Sequence, residues 1–483
     1  MRRLAAGTLA TLALVAAGCG GASKKSGSAS GSEGAASIVP ASATAYVAIN
    51  SDLKSDQLKA VNSLLGKFPS KDQLLAKFRA QLSQQGVDWD KDVKPALGPE
   101  LDIAAVADAT GKTQAVAFTK PNDEGKLNAL LQKGNAPHPV TEKVDGWTVI
   151  AQKQAAIDAV KQASGGTSLQ DSSGFADAMG KLPGETVAKF FVSGSRLTQS
   201  VGQSFGAAGA ALPSTKKLQY VTGALVAKDD GMQLQGTAKV NGKAPSSGTY
   251  SSALVGEAPA GAFLFLSIHG TDSAISQLRS NPALQQQLPQ IEQALGVTLD
   301  QLAALFKNET AIYVRQGTPI PEVTLVAKVD DEKQAFATVD KLATRAGGFA
   351  GGGAPKSVNV GGVAAKELTI GGRFSIFYAG FDGKLVVTSA QTGITGLRDS
   401  GPRLADDATF KDATSAAGMP DATSGFVYAN LKDSIPLIQG VAKLGGQSIP
   451  SSVGGNLAPL HAFVAYGKSE GSETSFTAFL QVK

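Results

Sequence analysis

The feature that most constrains the fold is an internal repeat, because the same short patterns recur in the same order in both halves of the chain. Pro40–Asn50 (PASATAYVAIN) aligns with Pro259–His269 (PAGAFLFLSIH), and each segment begins with proline and continues as an apolar run. Self-similarity on this scale indicates that one structural unit is present twice. We therefore predict two similar lobes, over residues 38–245 and 246–483.

Further matches support the repeat by their shared order, although none is specific alone. They are Gly86–Asp90 with Gly296–Asp300, Asp145-Gly146 with Asp382-Gly383, Ile157 with Ile394, Phe175–Gly184 with Phe410–Asp421, and Tyr220–Gly242 with His461–Lys483. The second half also has an extra segment, with a glycine-rich stretch at Gly347–Gly353. We expect strands near Glu367–Ile370 and Phe374–Tyr378 to follow it.

Alternating apolar runs joined by turn residues predict β-hairpins. One hairpin pairs residues 101–107 with 114–118 across Thr110-Gly111, and another pairs 220–227 with 232–240 across Asp229–Gly231. Asp-Gly between alternating runs is a strong turn signal. Hairpins mixed with helices predict an α+β fold, with mainly antiparallel or mixed sheets and flanking helices.

Apolar residues at helical spacing predict two helices early in the first lobe. Both stripes are expected to face a core: Leu58, Val61, Leu64, Leu65 and Phe68 in the first helix, and Leu74, Leu75, Phe78 and Leu82 in the second. Trp89 and Trp147 are also expected in the core, with a ligand-lining role as the alternative.

The N-terminus has the layout of a secretory signal. Two arginines precede an uncharged apolar run over residues 4–17, which is too short to span a bilayer. Ala16–Cys19 resembles a bacterial lipobox, with alanine where leucine is usual at the first position. Cys19 is the only cysteine, so no disulfide framework competes for it. We predict that residues 1–18 are removed and that Cys19 is acylated; an ordinary secretory peptide is the alternative.

Residues 19–37 are predicted to form a flexible tether after the acylated cysteine. Gly20–Ser37 is mostly glycine, serine and alanine, and a random coil of that length reaches roughly 25 Å. Lys24 and Lys25 could contact anionic headgroups or simply aid solubility. The folded lobes are therefore expected close to the lipid surface.

Composition narrows the classes of function. The chain has 483 residues, 42% of them hydrophobic, which favours more than one packed core. Its net charge is +5, and loss of the two signal-peptide arginines leaves +5 − 2 = +3. Because lysine and arginine are scattered among carboxylates instead of forming a basic stripe, no nucleic-acid partner is expected.

One motif that could carry catalysis is Gly202–Gly206, which fits the G-x-S-x-G nucleophile elbow with Ser204 as the nucleophile. That elbow requires a strand ending at the serine. Here the preceding predicted strand ends near Ser193, so a hydrolase using Ser204 is the weakest hypothesis. We predict that the protein is not an enzyme and has no catalytic residue.

Motifs for metal or nucleotide binding are incomplete. Asp88–Asp92 alternates carboxylates as a calcium loop does, but lacks the glycine and glutamate that the loop requires. We instead expect Asp90 and Asp300 to cap short helices. Gly111–Thr113 resembles the end of a Walker A loop without its first glycine and is better explained as a hairpin turn. Three histidines and one lipidated cysteine offer no zinc site. No cofactor or metal site is predicted.

Several of these stretches together resemble a family of bacterial surface proteins, the domain of unknown function 3352. The resemblance is carried by Pro40–Asn50, by Gly86–Gly98 and by Phe175 or Phe410 leading into an aromatic strand, and it covers most of residues 38–483. Leu97-Gly98 fits the family pattern better than Phe306-Lys307 does. The resemblance implies an extracytoplasmic, often membrane-attached protein and supplies no reaction.

The leading hypothesis is a lipid-anchored envelope lipoprotein, on the extracytoplasmic face of the cell membrane, whose lobes form a non-catalytic binding or scaffolding module. Its expected partners are the membrane, through the acyl anchor on Cys19, and an envelope protein or a lipid ligand. One alternative is a lipid or solute carrier with a cavity in or between the lobes, and the other is the Ser204 hydrolase.

Overall fold

The computed structural model describes most of the chain after residue 33. The described ranges are 34–108, 111–133, 138–194, 217–242, 244, 248–270, 285–317, 320–349, 353–371, 374–435, 437 and 451–483. The chain divides into two compact units. Unit 1 comprises Met1–Ala244, Ser451–Pro459 and Gly471–Lys483, and unit 2 comprises Pro245–Pro450 and Leu460–Glu470.

The strands of unit 1 form an antiparallel sheet. They are β1 (Ala45–Asn50), β2 (Glu100–Ala107), β3 (Thr113–Thr119), β4 (Val140–Val144), β5 (Trp147–Ala151), β6 (Ala188–Ser193), β7 (Leu218–Lys228), β8 (Gly231–Val240) and, from the C-terminus, β18 (Glu473–Val482). Their pairings give the order β4-β5-β3-β2-β1-β6-β7-β8-β18. The last strand of the chain thus completes unit 1.

The helices of unit 1 flank this sheet. They are α1 (Asp56–Gly66), α2 (Lys71–Gln84), α3 (Glu124–Leu131), α4 (Gln154–Ser164), α5 (Ser173–Gly180) and α11 (Ser451–Leu457). Short turns are the 3-10 turn Ala35–Ser37, the π-helical turn Trp89–Val93 and the α-turn Lys94–Ala96. Side chains begin several helices; Ser55 Oγ, for example, accepts a hydrogen bond from the Leu58 amide and caps α1.

The strands of unit 2 are antiparallel as well. They are β9 (Ala262–His269), β10 (Glu309–Arg315), β11 (Glu322–Lys328), β12 (Lys356–Val360), β13 (Val363–Ile370), β14 (Phe374–Phe381), β15 (Lys384–Thr388), β16 (Gly425–Asn430) and β17 (Leu460–Glu470). They pair in the order β12-β13-β14-β15-β11-β10-β9-β16-β17. Strands are therefore present where the extra segment of the second half predicted them.

The helices of unit 2 lie between these strands in the chain. They are α6 (Leu288–Leu295), α7 (Leu299–Leu305), α8 (Glu332–Phe349), α9 (Thr392–Arg398) and α10 (Ala408–Ala417), with 3-10 turns at Leu254–Gly256 and Leu404–Asp406. The predicted α+β class is confirmed, and every described strand pairing in both units is antiparallel. The two predicted hairpins are confirmed as β2 with β3 and β7 with β8.

Aromatic side chains fill the core of each unit. In unit 1, Phe175 on α5 meets Tyr46 of β1 edge to face at 5.4 Å and Phe191 of β6 at 5.2 Å. In unit 2, Phe410 on α10 meets Tyr428 of β16 edge to face at 5.0 Å. Edge-to-face pairs at these spacings add to the stabilisation that burial provides. A helix that lies between β5 and β6 in unit 1, and between β15 and β16 in unit 2, thus packs on the central strands of its unit.

The second helical stripe was predicted wrongly in part. Leu74, in the first turn of α2, is 62% exposed, whereas Leu82 near its end is buried. The reason is that α2 packs through its C-terminal half, where Phe78 lies edge to face with Trp89 at 6.0 Å. Trp89 and Trp147 are 5% and 4% exposed, so their predicted core positions are confirmed.

Both predicted helix caps were wrong by two residues. Asp88, not Asp90, accepts the Lys91 amide at 2.8 Å and begins the turn Trp89–Val93. Thr298, not Asp300, caps α7 and forms a capping box with Gln301. In both places the helical conformation begins two residues earlier than predicted. For Thr298, the Thr-x-x-Gln pattern in the sequence is typical of a capping box and indicates the correct position.

Residues 34–37, which composition assigns to the tether, are part of unit 1. Ala35 and Ala36 are 0% and 4% exposed in the 3-10 turn that precedes β1. Their small side chains fit a close-packed position. In the part of the chain that the structure describes, no helix combines the length and apolar character needed to cross a membrane.

Candidate ligand-binding site

A pocket of about 250 Å³ lies on one face of the central strands of unit 1. Its floor is formed by Ala48 of β1, by Lys189 of β6, which pairs with Ala48, and by Glu100 of β2, which pairs with Asn50 of β1. Residues at directly paired positions project from the same face of a sheet. A small alanine thus separates two ionisable side chains and leaves space above itself.

Helix α5 forms the apolar wall of the pocket. Phe175, Ala176 and Met179 of this helix line the pocket together with Ala48 of β1. Phe175 is held by the aromatic cluster of the core, so the wall is rigidly supported. The site therefore combines one apolar side with a charged floor, as small-molecule sites commonly do.

Asp102 of β2, which pairs with Ala48, is completely buried. Its Oδ2 accepts a hydrogen bond of 2.6 Å from the Tyr46 hydroxyl and one of 2.8 Å from the Ala35 amide. The second bond caps the 3-10 turn that precedes β1. Burial, and then the neighbouring Asp102 carboxylate, raise the pKa of Tyr46 well above its usual value, so this hydroxyl acts as a donor.

Asp102 and Glu100 are neighbouring carboxyl groups. Asp102 Oδ1 is buried and receives no hydrogen bond from a donor in the described structure. Burial and the charge of Glu100 raise the pKa of Asp102 to about 8. Burial also raises the pKa of Glu100. Two close carboxylates resist joint ionisation, which favours the protonated form of Asp102.

Lys189 is the opposite charge of the site. Its side chain lines the pocket and the residue is only 4% exposed. Burial lowers the pKa of its ammonium group, and the charge of Glu100 partly offsets that effect. Within the described residues no hydrogen bond or ion pair to this ammonium group is present. Lysine is almost never fully buried unless it is paired.

Unit 2 uses a carboxylate differently at the corresponding strand position. Glu309 pairs with His269 as Glu100 pairs with Asn50. Glu309 accepts hydrogen bonds from the hydroxyls of Ser252 at 2.5 Å and Ser267 at 2.9 Å, and from the amide of Ala253 at 2.9 Å. It therefore caps the 3-10 turn of unit 2. In unit 1 that role falls to Asp102, which leaves Glu100 facing the pocket.

The place of Lys189 is also occupied differently in unit 2. Ser267 of β9 pairs with Phe426 of β16, as Ala48 pairs with Lys189. Phe426 is 4% exposed, and its ring lies 5.5 Å from that of Phe265. An aromatic ring thus closes the core of unit 2 at the position where unit 1 has a charge and a cavity.

The residues that the sequence singled out do not meet at this site. Cys19 and Ser204 lie outside the described residues. Asp88 and Asp92 make local bonds in the turn Trp89–Val93, where Asp92 Oδ2 accepts the Asp88 amide at 2.8 Å. Among the residues described, no three histidine, cysteine or acidic side chains converge as they would around a metal ion. Gly111, at φ 77°, lies between β2 and β3, and Thr113 is the first residue of β3.

Sequence reasoning missed Glu100, Asp102 and Lys189. The signal was present in the strand alternation, because Lys189 and Phe191 are two apart in one strand and both point inward. A charged residue on the inward face of an otherwise apolar strand marks either a structural pair or a functional group. Distinguishing these requires knowing the neighbouring strand.

A family model described as "Protein of unknown function (DUF3352)" matches residues 120–480, about three-quarters of the sequence. The chain belongs to this family. The DUF3352 match runs through parts of both units. No curated protein matches the sequence.

Three solved structures are similar at low identity, and all are crystal forms of TP0453. Form IV is 13% identical with a TM-score of 0.26, covering 47% of this chain and 79% of that one. Form III is 12% identical with a TM-score of 0.24, covering 47% and 92%. Form I is 11% identical with a TM-score of 0.24, covering 48% and 92%. At these TM-scores the similarity carries no conclusion about fold or function.

Proposed function

We propose that the chain is a lipid-anchored extracytoplasmic lipoprotein and that unit 1 is a non-catalytic binding module for a small ligand. The observation that carries the binding role is Lys189, which lines a pocket with an apolar wall, is 4% exposed as a residue and makes no hydrogen bond or ion pair among the described residues. A cation in partly apolar surroundings is explained if an anionic ligand completes its interactions. This favours the carrier hypothesis over a pure scaffold.

The binding role is tested by purifying the full chain from its own membrane in mild detergent and identifying, by mass spectrometry, the small molecules released on denaturation. The matched control is Ala48→Leu, which fills the pocket floor and keeps every charge. We expect a compound enriched with the wild-type chain and lost with the variant. Equal recovery from both chains would refute ligand binding in this pocket.

The anchor rests on the sequence around Cys19 and has a separate test. Metabolic labelling with an alkyne fatty acid is expected to label the wild-type chain and to leave Cys19→Ala unlabelled and released from the membrane. A Cys19→Ala chain that stays lipid-labelled would refute the anchor. A Ser204→Ala chain that loses a measurable esterase activity would overturn the non-enzymatic assignment.

We also infer that the two units derive from an internal duplication. The strands β4-β5-β3-β2-β1-β6-β7 of unit 1 pair in the same order as β14-β15-β11-β10-β9-β16-β17 of unit 2. Asp145 and Asp382, aligned in the sequence, both have positive φ, at 45° and 51°. Under this hypothesis unit 1 kept a ligand pocket and unit 2 closed it with Phe426.

A further inference from the structure

Lys189 offers a cation to a ligand, because no hydrogen bond or ion pair to its ammonium group is present among the described residues. Lys189 lines a pocket that is partly apolar, and the residue is 4% exposed. A cation in partly apolar surroundings gains from an anionic partner. A carboxylate or similar anion on the ligand would provide that partner. The anion would then lie on the β6 side of the floor, where Lys189 is located.

Glu100 offers the complementary charge from the other side of the floor. It lines the same pocket and sits on β2, whereas Lys189 sits on β6, with β1 between them. The two side chains do not form an ion pair, yet the charge of Glu100 acts on Lys189. Asp102 is not among the residues that line the pocket, and its Oδ2 is committed to Tyr46 and Ala35. Glu100 is therefore the carboxylate available to a cationic group.

Size and polarity restrict the rest of the ligand. The pocket volume of about 250 Å³ corresponds to roughly eight water molecules at ~30 Å³ each. It falls just below the range of about 300–1,000 Å³ that is usual for drug-sized ligands. Phe175 and Met179 present apolar surface opposite the charged floor. A short apolar body fits this space better than a sugar or a long acyl chain does.

We propose that the pocket of unit 1 binds a zwitterionic α-amino acid with an apolar side chain. Its carboxylate contacts Lys189 and its ammonium group contacts Glu100, so the ligand bridges two charges that the fold holds apart. Its side chain packs against Phe175 and Met179. The inference rests on the proposed binding function and adds the chemical class of the ligand.

Isothermal titration of the full mature chain in detergent tests this class with matched probes. L-leucine carries both charges, 4-methylpentanoate lacks the ammonium group, 3-methylbutylamine lacks the carboxylate, and glycine lacks the apolar side chain. We expect L-leucine to bind at least tenfold more tightly than each of the other three. Tenfold corresponds to about 1.4 kcal/mol.

Charge-specific variants assign each contact. Lys189→Met is expected to bring L-leucine down to the affinity of 3-methylbutylamine, since the carboxylate loses its partner. Glu100→Gln is expected to bring L-leucine down to the affinity of 4-methylpentanoate. Ala48→Leu should abolish binding of all four probes, and Lys126→Met, at an exposed lysine on α3, should leave all affinities unchanged.

Two outcomes overturn the amino-acid assignment while keeping the binding function. The first is 4-methylpentanoate binding as tightly as L-leucine, which would indicate an anionic amphiphile. The second is no binding of any probe together with a different compound that co-purifies with the wild-type chain and not with Ala48→Leu. If no probe binds and no compound distinguishes those two chains, the amino-acid assignment and the binding function both fail.

Discussion

Lys189 of unit 1 and Phe426 of unit 2 occupy the same place in the strand pairing of their units, each opposite the third-last residue of a central strand. One is a buried cation beside a pocket, and the other is a ring packed against Phe265. The same architecture thus accommodates a charge in one unit and an apolar core residue in the other. A partly apolar site is a less favourable environment for a cation than for an aromatic ring.

Replacing Lys189 is therefore expected to stabilise the ligand-free protein. Lys189→Phe or Lys189→Met should raise the free energy of unfolding of unit 1 by about 1–3 kcal/mol, because apolar replacement of buried charges is often neutral or stabilising. Denaturant unfolding followed by tryptophan fluorescence measures unit 1 selectively, since both tryptophans of the chain, Trp89 and Trp147, lie in that unit. Lys126→Met is the control and should change little. Destabilisation by Lys189→Met would contradict the expectation.

Asp102 should make unit 1 less stable as the pH rises. The pKa of Asp102 is about 8 in the folded protein, against an ordinary value of 3.8. Between about pH 4 and pH 8 the folded protein therefore holds a proton that the unfolded chain has already released. The free energy of unfolding falls with pH wherever the folded state binds more protons. Asp102→Asn cannot ionise, and we expect it to flatten this slope in tryptophan-monitored unfolding. An unchanged slope in the variant would show that another group causes it.

Asp102→Ala tests the hydrogen bonds that Asp102 accepts separately from the protonation of its carboxyl group. Alanine leaves the Tyr46 hydroxyl and the Ala35 amide without their acceptor, and a buried unsatisfied donor costs about 1–3 kcal/mol. Asparagine keeps an acceptor oxygen at that position. We therefore expect Asp102→Ala to destabilise unit 1 at every pH and to release the turn Ala35–Ser37, measured as faster amide hydrogen exchange there. Protection equal to that of Asp102→Asn would contradict the assigned cap.

Asp145 and Asp382 should tolerate small residues and resist β-branched ones. Each begins an Asp-Gly turn, joining β4 to β5 or β14 to β15, with φ at 45° and 51°. Left-handed backbone costs a side chain with Cβ about 1–2 kcal/mol, and β-branching makes it worse. We expect Val at either position to accelerate amide exchange of its own hairpin, while Asn does not. Equal exchange in the Asn and Val variants would argue against turn control of these hairpins.

Asp177 should stabilise unit 1 in a salt-dependent way. Its carboxylate accepts hydrogen bonds from Lys239 at 2.9 Å and from the Tyr220 hydroxyl at 2.8 Å, and Lys181 lies 3.1 Å away. These hydrogen bonds hold the pKa of Asp177 well below its usual range, and the bond from Lys239 has the largest effect. The stabilisation is therefore present above about pH 4 and is lost as the pH falls further.

For Asp177→Asn we expect the free energy of unfolding to fall by up to about 1 kcal/mol at neutral pH and low salt. The effect is limited because solvent and salt screen partly exposed ion pairs. Tryptophan-monitored unfolding at two salt concentrations measures it. Asp56→Asn is the control, since Asp56 is 82% exposed and forms a surface ion pair with Lys59. An equal effect of the two substitutions would show that the network adds nothing beyond a single surface pair.

Part of the site lay within reach of sequence reasoning, and part did not. The strand alternation shows that Lys189 and Glu100 face inward on their own strands, but not that they flank the same strand. That fact depends on the pairing of β1 with β2 and β6, which are far apart in the chain. The prediction that Leu74 faces the core was wrong for a related reason. An apolar stripe predicts which face of a helix is apolar, but not how much of that face other elements cover.

The sequence by itself determined the local features of this protein: antiparallel hairpins at Asp-Gly turns, an α+β composition and the burial of both tryptophans. These follow from short-range backbone preferences and the alternation of apolar residues. Only the tertiary structure decided that Asp102 caps the turn before β1, that Glu100 and Lys189 share a pocket, and that Phe426 fills the corresponding place in unit 2. Those relationships depend on which distant strands pair, because the burial and charge of a side chain are set by neighbours across the sheet.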